Sequence, residues 1–404
     1  MTDLPDFWST DFLRSHIAQT MAFYHPRCID PRGGYFHYFR DDGSIYDHSS
    51  RHLVSSTRFV FNYAKAAHEF SRADNLDAAR HGLRYLRDVH RDPTSGAYAW
   101  TIRDGAALDT TRHAYGMAFV MLAYATAMKA GIDEASPWLD ETWQLLEARF
   151  WDSDAGLYRD EADCDWVFSA YRGQNANMHL TEALLAAYEA STDQRYLERA
   201  LAVADAMTRR LAAQAGGLVW EHYDERWNID WDYNRDDPRH LFRPWGFQPG
   251  HQTEWAKLLL ILDRYKSQDW LLPTATHLFE TAMLRAWDDV NGGLCYGFAP
   301  DGAICDGDKY FWVQAESLAA AALLSERSGD MRHVDDYDKL WAYAWRYFVD
   351  HEHGAWYRIL DRENRKYSDE KSPAGKTDYH TMGACYEVLA MIRRSDPSRS
   401  GYTN

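Results

Sequence analysis

Six segments of the chain are rich in Ala, Leu and Met and nearly apolar all round after a polar first turn: residues 57–70, 112–129, 175–191, 249–265, 312–328 and 379–394. Helices apolar on every face are buried on most sides. Six further segments keep one polar face: residues 76–89, 136–150, 194–213, 271–287, 332–348 and 10–24. Their periodicity predicts amphipathic helices packed outside the first set.

A short phrase punctuates this alternation. A glycine turn is followed within three residues by an aromatic, at Gly33-Gly34-Tyr35, Gly96-Ala97-Tyr98, Gly156-Leu157-Tyr158, Gly216 to Trp220, Gly292 to Tyr296 and Gly354-Ala355-Trp356. The interval is roughly 60 residues, once roughly 75, which suits a helical-hairpin repeat. An Asp stands near five of the turns (Asp30, Asp92, Asp152, Asp289, Asp350), as turn chemistry favours.

Six hairpins in one chain predict a closed ring: an all-α (α/α)6 barrel of six inner and six outer helices, with short strands or turns at one end. Segment 10–24 would pack on segment 379–394 and close it. The glycine phrases would sit at one end and the segments leading into the inner helices at the other. The insertion 219–248, dense in Trp, Tyr, Asp and Arg, reads as a loop or lid over that second end. The even repeat argues for a single catalytic domain over 1–404, with the polar stretch 395–404 as a mobile tail.

Composition narrows the class. The net charge is −17, which disfavours nucleic acid and an anionic membrane as partners. No signal-peptide pattern opens the chain and no apolar run has the length of a membrane span. The five cysteines are scattered, with no CxxC, and fit a reducing compartment. A cytoplasmic enzyme, monomeric or homodimeric, is the expectation. There is no GxGxxG after a strand, no Walker A loop, no GxSxG elbow and no zinc spacing. No cofactor and no metal are therefore expected, although three convergent histidines would in principle ligate one.

The candidate chemistry lies at the starts of the apolar helices: Arg58; His113 and Tyr115; Asn175 and His179; His251 and Glu254; Trp312 and Glu316; and His380. In a closed barrel these positions converge on one mouth. Titratable groups at the ends of apolar helices are costly without partners or work. A helix N-terminus disfavours protonated imidazole, so His251 and His380 are expected neutral and able to act as bases. Glu254, one turn from His251, is a candidate to orient it, and Glu316 a candidate ion-pair partner of Arg58. Trp312 would offer a stacking wall. His81, His90, His333 and His351 fall on outer helices or loops and read as surface residues.

The motifs Arg112-His113-Ala114-Tyr115, Asn175-Ala176-Asn177-Met178-His179, Pro249-Gly250-His251-Gln252-Thr253-Glu254-Trp255, Trp312-Val313-Gln314-Ala315-Glu316 and Lys376-Thr377-Asp378-Tyr379-His380, together with Arg58, span nearly the whole chain. With them the chain resembles the N-acylglucosamine 2-epimerase superfamily, and within it the bacterial aldose–ketose isomerases that include D-mannose isomerase. The resemblance implies cofactor-free proton transfer beside the carbonyl of a monosaccharide. D-mannose and D-fructose would interconvert through a cis-enediol, with D-lyxose and D-xylulose as a second pair. His251 and His380 would be acid and base, with Glu254 and Arg58 assisting. Tyr115, Asn175, His179, Trp312, Glu316 and His113 would contact the sugar. Cellobiose 2-epimerases carry a tryptophan shortly before the last histidine; here Ser372-Pro373-Ala374-Gly375-Lys376 has none.

Other chemistries share these residues. Proton return to the opposite face of C2 gives a 2-epimerase of a monosaccharide, N-acylglucosamine or cellobiose. An anionic sugar would use Arg239, Arg243 or Lys376. A glycoside hydrolase needs two carboxylates, such as Glu254 and Glu316, but leaves the paired histidines unexplained. A non-catalytic sugar-binding protein would tolerate loss of His380.

Overall fold

The computed structural model describes residues 4–70, 73–240 and 242–395. Twelve α-helices alternate within them: α1 Thr10–Tyr24, α2 Leu53–Phe70, α3 Ala73–Tyr85, α4 Ala114–Lys129, α5 Ala135–Leu145, α6 Gln174–Ser191, α7 Gln194–Asp205, α8 Pro249–Tyr265, α9 Leu271–Ala286, α10 Phe311–Ser328, α11 Met331–Tyr347 and α12 Tyr379–Ser395. Helices α2, α4, α6, α8, α10 and α12 pack side by side in sequence, and α12 meets α2. The ring is closed, an (α/α)6 barrel. Each outer helix lies on the inner helix before it, and α1 lies on α12. The inner helices are buried on nearly every face, whereas α7 and α11 bury one stripe. Three outer helices end in a wider turn, at Leu86–His90, Leu146–Phe150 and Ala206–Leu211. Ser395 is still helical; the remainder of the expected tail, 396–404, lies outside the described residues.

One expectation about the ends is corrected. The strand that leads into an inner helix pairs with the strand that follows the next glycine phrase: Ser50–His52 with Thr101–Arg103, Arg112–His113 with Glu161–Ala162, Arg172–Gly173 with His222–Tyr223, and Lys309–Tyr310 with Ile359–Leu360. Glu370–Ser372 pairs with Tyr38–Arg40 and joins the last repeat to the first. Glycine phrases and inner-helix starts therefore share one end. The physical reason is the hairpin itself: an outer helix runs back to the end where its inner partner began. Arg112 and His113 are accordingly strand residues and not the first turn of a helix.

The phrase also has a partner that local turn chemistry does not reveal. Asp30, Asp288 and Asp350 accept from backbone N–H groups of their own turns, and each also pairs with a buried cation 21 residues on. Arg51 meets Asp30 at 2.6 Å, Lys309 meets Asp288 at 3.0 Å, and Lys371 bonds Asp350. It is Asp288, not its neighbour Asp289, that fills this position. Removing one member of a buried pair leaves an uncompensated charge, at about 3–5 kcal/mol.

Other polar groups at the helix starts are structural clamps. The fourth residues of α6, α8 and α10 are Asn177, Gln252 and Gln314, all fully buried. The Asn177 amide accepts from Tyr158 N at 2.8 Å and donates to Tyr158 O at 3.0 Å. Gln252 does the same with Val219, at 3.0 and 2.8 Å, and Gln314 with Leu294, at 3.0 and 2.9 Å. Each ties an inner helix to its glycine phrase, and both ends of each of these three amides are paired. His90 and His333, expected on the surface, are also buried. His90 bonds Ala99 O and Ser56 Oγ, which join the first and second repeats.

Candidate functional site

The second and sixth residues of a helix lie on one face, a turn apart. At the barrel mouth this places Val54 above Arg58, Tyr115 above Phe119, Asn175 above His179 and Trp312 above Glu316. His251 and Glu254 on α8 and His380 on α12 complete the two layers. Arg58, Tyr115, Asn175, His179, His251, Glu254, Trp312 and His380 all line one cavity. The N-caps of four inner helices, His113, Gly173, Gln248 and Tyr310, make no side-chain capping bond. The first N–H of α4, α6 and α10 is taken by the backbone carbonyls of Asp160, Glu221 and Arg358; the positive ends of the helices still lie at the mouth.

Each central histidine rests on a carboxylate. His380 Nδ1 lies 2.6 Å from Glu316 Oε1, and His251 Nδ1 lies 2.9 Å from Glu221 Oε2. An ionised carboxylate only accepts, so Nδ1 carries the proton and Nε2 keeps its lone pair. Burial, then the Arg58 charge, holds the His380 imidazole well below its ordinary range. Burial lowers His179 to about 4. Trp312 stands beside both acid–base candidates, its ring 4.9 Å from that of His251 and 5.8 Å from that of His380. Gly250 explains how the indole fits: a Cβ there would meet the Trp312 ring at 2.4 Å.

Arg58 donates to Gly375 O at 2.5 Å and to Tyr115 Oη at 3.4 Å. Its guanidinium is sandwiched by Phe119 and Tyr379, at 4.4 and 4.8 Å from the ring centres. It is thus fixed and pre-oriented toward the cavity, without an ion-pair partner at close range among the described residues.

Three expected roles change. Glu254 does not touch His251; it points toward His179, 3.7 Å from Nδ1, and neither of its oxygens has a hydrogen-bond partner. Glu316 does not pair with Arg58 and does not reach the cavity; its oxygens are taken by His380 and by Lys257 Nζ at 2.5 Å. His113 stands outside the cavity because it precedes α4. It packs on Trp100 at 4.2 Å, lies 3.4 Å from Glu161, and lines a neighbouring cavity. The three histidines are not gathered on one point. Among the described residues, the groupings with metal-ligand spacing are His179, Glu182 and Glu254, and Glu254, Glu316 and His380. The ammonium of Lys257 lies against both, 3.8 Å from Glu182 and 3.9 Å from Glu254.

Glu221 and Lys257 escaped the sequence reading. Glu221 belongs to the insertion 219–248 and gains its place only because its neighbours His222–Tyr223 pair with Arg172–Gly173. Gln174 Nε2 donates to it at 2.9 Å, and Gln174 Oε1 accepts from Trp255 at 2.8 Å. Lys257 carried a signal that was available: a lone Lys inside the apolar run Trp255-Ala256-Lys257-Leu258-Leu259-Leu260.

An (α/α)6 barrel whose mouth presents two carboxylate-backed histidines, a fixed guanidinium and an indole wall defines an acid–base enzyme of the sugar-epimerase and isomerase class. The N-acylglucosamine 2-epimerase model matches residues 34–384, and the chain belongs to that family. The D-mannose isomerase of Marinomonas mediterranea is 55% identical, over 96% of this chain and 99% of its own. A crystal structure of a D-mannose isomerase superposes with a TM-score of 0.95 at 54% identity, over 96% of this chain and 100% of that one. The cellobiose 2-epimerase of Bacillus thermoamylovorans B4167 shares the fold at 18% identity, with a TM-score of 0.84 over 95% of this chain and 100% of its own. No helix among the described residues is long and apolar enough to cross a membrane.

Proposed function

We propose that this chain is a cofactor-independent aldose–ketose isomerase that interconverts D-mannose and D-fructose, acting as one catalytic domain in the cytoplasm. The observation that carries the reading is the pair of histidines, each with Nδ1 held by a carboxylate, on either side of Trp312 in one cavity. The high identity to D-mannose isomerases supports the choice of sugar.

The sugar enters as a ring. His251 shifts protons between its oxygens: O1 loses one, O5 gains one, the C1–O5 bond breaks and C1 becomes the aldehyde carbon. Glu254, in the cavity wall with both oxygens free of protein partners, takes part in that exchange. His380 Nε2 then removes the proton from C2. The electrons form the C1–C2 double bond and O1 is protonated, giving the cis-enediol. Proton return to C1, with loss of the O2 proton, gives the ketose. Arg58 donors face the developing oxyanion, which is where fixed charge lowers the barrier. Tyr115, Asn175 and His179 hold hydroxyl groups.

The mouth favours a neutral monosaccharide. Residues 373–376 line the cavity with no aromatic to stack on a second sugar unit. The cations proposed for an anionic sugar are engaged: Arg243 with Glu161 at 2.6 Å, Lys376 with Asp378 at 2.7 Å, and Arg239 near Asp306 and Asp308. Proton NMR of the purified protein with D-mannose in D2O tests the reading. Fructose carrying solvent deuterium on carbon is expected. Glucose as first product would make the enzyme an epimerase, and unchanged mannose would overturn the proposal.

A further inference from the structure

Beneath the histidines, α6, α8 and α10 bring three carboxyls together. Glu182, Glu254 and Glu316 lie 3.8, 3.9 and 2.5 Å from the Lys257 ammonium, which is 7% exposed. Among the described residues, the other cation that acts on Glu254 is Arg58 on α2. Three acids face two fixed cations, and the imidazoles of His179 and His380 are held neutral by burial. Glu254 and Glu316 are buried and only Glu182, with 17% of its side chain exposed, touches water, so little solvent compensates the difference and one of the three acids keeps a proton. Hydrogen bonding identifies which. Glu316 spends both oxygens on His380 and Lys257, and Glu182 accepts from His179 at 3.2 Å. Glu254 has no partner on either oxygen. Burial and the neighbouring Glu316 raise Glu254 well above the usual carboxyl range; burial also raises Glu316, less far because Lys257 opposes it, while Lys257 and His179 outweigh burial and pull Glu182 below that range.

We propose that Lys257 is a positioning residue for His380: its ammonium keeps Glu316 ionised, so that His380 holds its proton on Nδ1 and offers Nε2 as the base, and it leaves the shared proton on Glu254 in the cavity wall. The inference rests on the isomerase reading for its kinetic consequence but not for its structural one. Without the ammonium, Glu316 stays protonated to higher pH. A neutral Glu316 donates to Nδ1, which forces the imidazole proton onto Nε2 and removes the base. The remaining charged or titratable groups around this floor are Tyr115 on α4 and Tyr379 on α12. On its far side Lys129 bonds Glu189, Glu387 meets Arg264, and Lys65 and His68 of α2 line the cavity beyond.

The test has two arms on Lys257→Met, Lys257→Arg and the wild type. In the first, long-range 1H–15N spectra of histidine-labelled protein, assigned with His380→Asn, read the tautomer. The wild type and Lys257→Arg should show His380 protonated on Nδ1; Lys257→Met should shift it to Nε2. In the second, pH–rate profiles on D-mannose should show the acidic limb of kcat raised by about one pH unit in Lys257→Met. Its kcat at neutral pH should be ~10–100-fold lower, with KM changed far less, and Lys257→Arg should recover most of the loss. A loss of kcat uniform across pH, or an unchanged His380 tautomer in Lys257→Met, overturns the proposal. If Lys257→Met does not fold, Glu316→Gln makes the partner neutral at every pH: its spectra should show His380 protonated on Nε2, and a proton still on Nδ1 overturns the proposal. A wild type that does not convert D-mannose breaks the isomerase reading, while the tautomer arm still decides this one.

Discussion

The two histidines are built alike and backed differently. His380 leans on Glu316, which is held from behind by the buried charge of Lys257. His251 leans on Glu221, which is held by the neutral amide of Gln174, itself fixed by the Trp255 indole. The first pair joins three inner helices at the barrel floor. The second borrows its acid from the insertion at the rim. A charged backing fixes the protonation state of the acid; a neutral one fixes mainly its direction. Taking a proton from carbon demands a base of fixed tautomer, whereas moving protons between sugar oxygens tolerates a softer arrangement. In the proposed reaction, the comparison therefore favours His380 for C2 and His251 for ring opening.

The largest expected effect tests the carbon side. His380→Asn keeps the size of the side chain and one amide donor but has no basic nitrogen. We expect kcat to fall by about 10⁴-fold, with no exchange of the C2 hydrogen of mannose into D2O by NMR. Retention of that exchange would give the carbon proton to His251 and invert the comparison. His251→Asn should cost less, about 10²-fold, because the free sugar opens slowly on its own. Its signature is isotopic. With mannose deuterated at C2, the primary isotope effect of the wild type should shrink toward unity in His251→Asn, since ring opening then limits the rate.

How far this was readable from sequence depends on which side is considered. His380, Arg58, Trp312 and Asn175 sit on helices whose apolar character fixes their ends, and hairpin repeats fix which ends meet. The repeat phase was thus enough to bring them to one mouth. Glu221 was not readable in that way. It follows the fourth glycine phrase in an irregular segment, and its placement depends on pairing between His222–Tyr223 and Arg172–Gly173, which local pattern does not encode. Polar residues at helix starts also proved to be of two kinds. Asn177, Gln252 and Gln314 differ from Asn175, His251 and Trp312 by one or two positions, yet that rotation turns them from the cavity to the backbone of the glycine phrase. The cation 21 residues after Asp30, Asp288 and Asp350 was visible in the sequence as a spacing, but turn chemistry alone had already accounted for the aspartates.

Glu221→Gln sharpens the contrast from the rim side. The amide can still reach Nδ1, and Gln174 still supports it, so geometry survives and only charge is lost. We expect about a tenfold fall in kcat, with the acidic limb of the pH profile unmoved. That differs from the floor, where losing charge moves the limb. A Glu221→Gln profile shifted as far as that of Lys257→Met would show that both acids act through charge and would erase the distinction.

The smallest effect is in the wild type. A base works only while unprotonated, so its pKa sets the acidic limb. Burial, reinforced by Arg58, His179 and Lys257, lowers the His380 pKa well below 6.5. Falling pH therefore protonates His380 only well below the range in which an exposed histidine charges. We expect kcat measured at saturating D-mannose to change by less than about twofold between pH 8 and pH 6.5, and to fall only further into acid. A limb centred near 6.5 would show that His380 does not set it, and would take the carbon proton away from the floor.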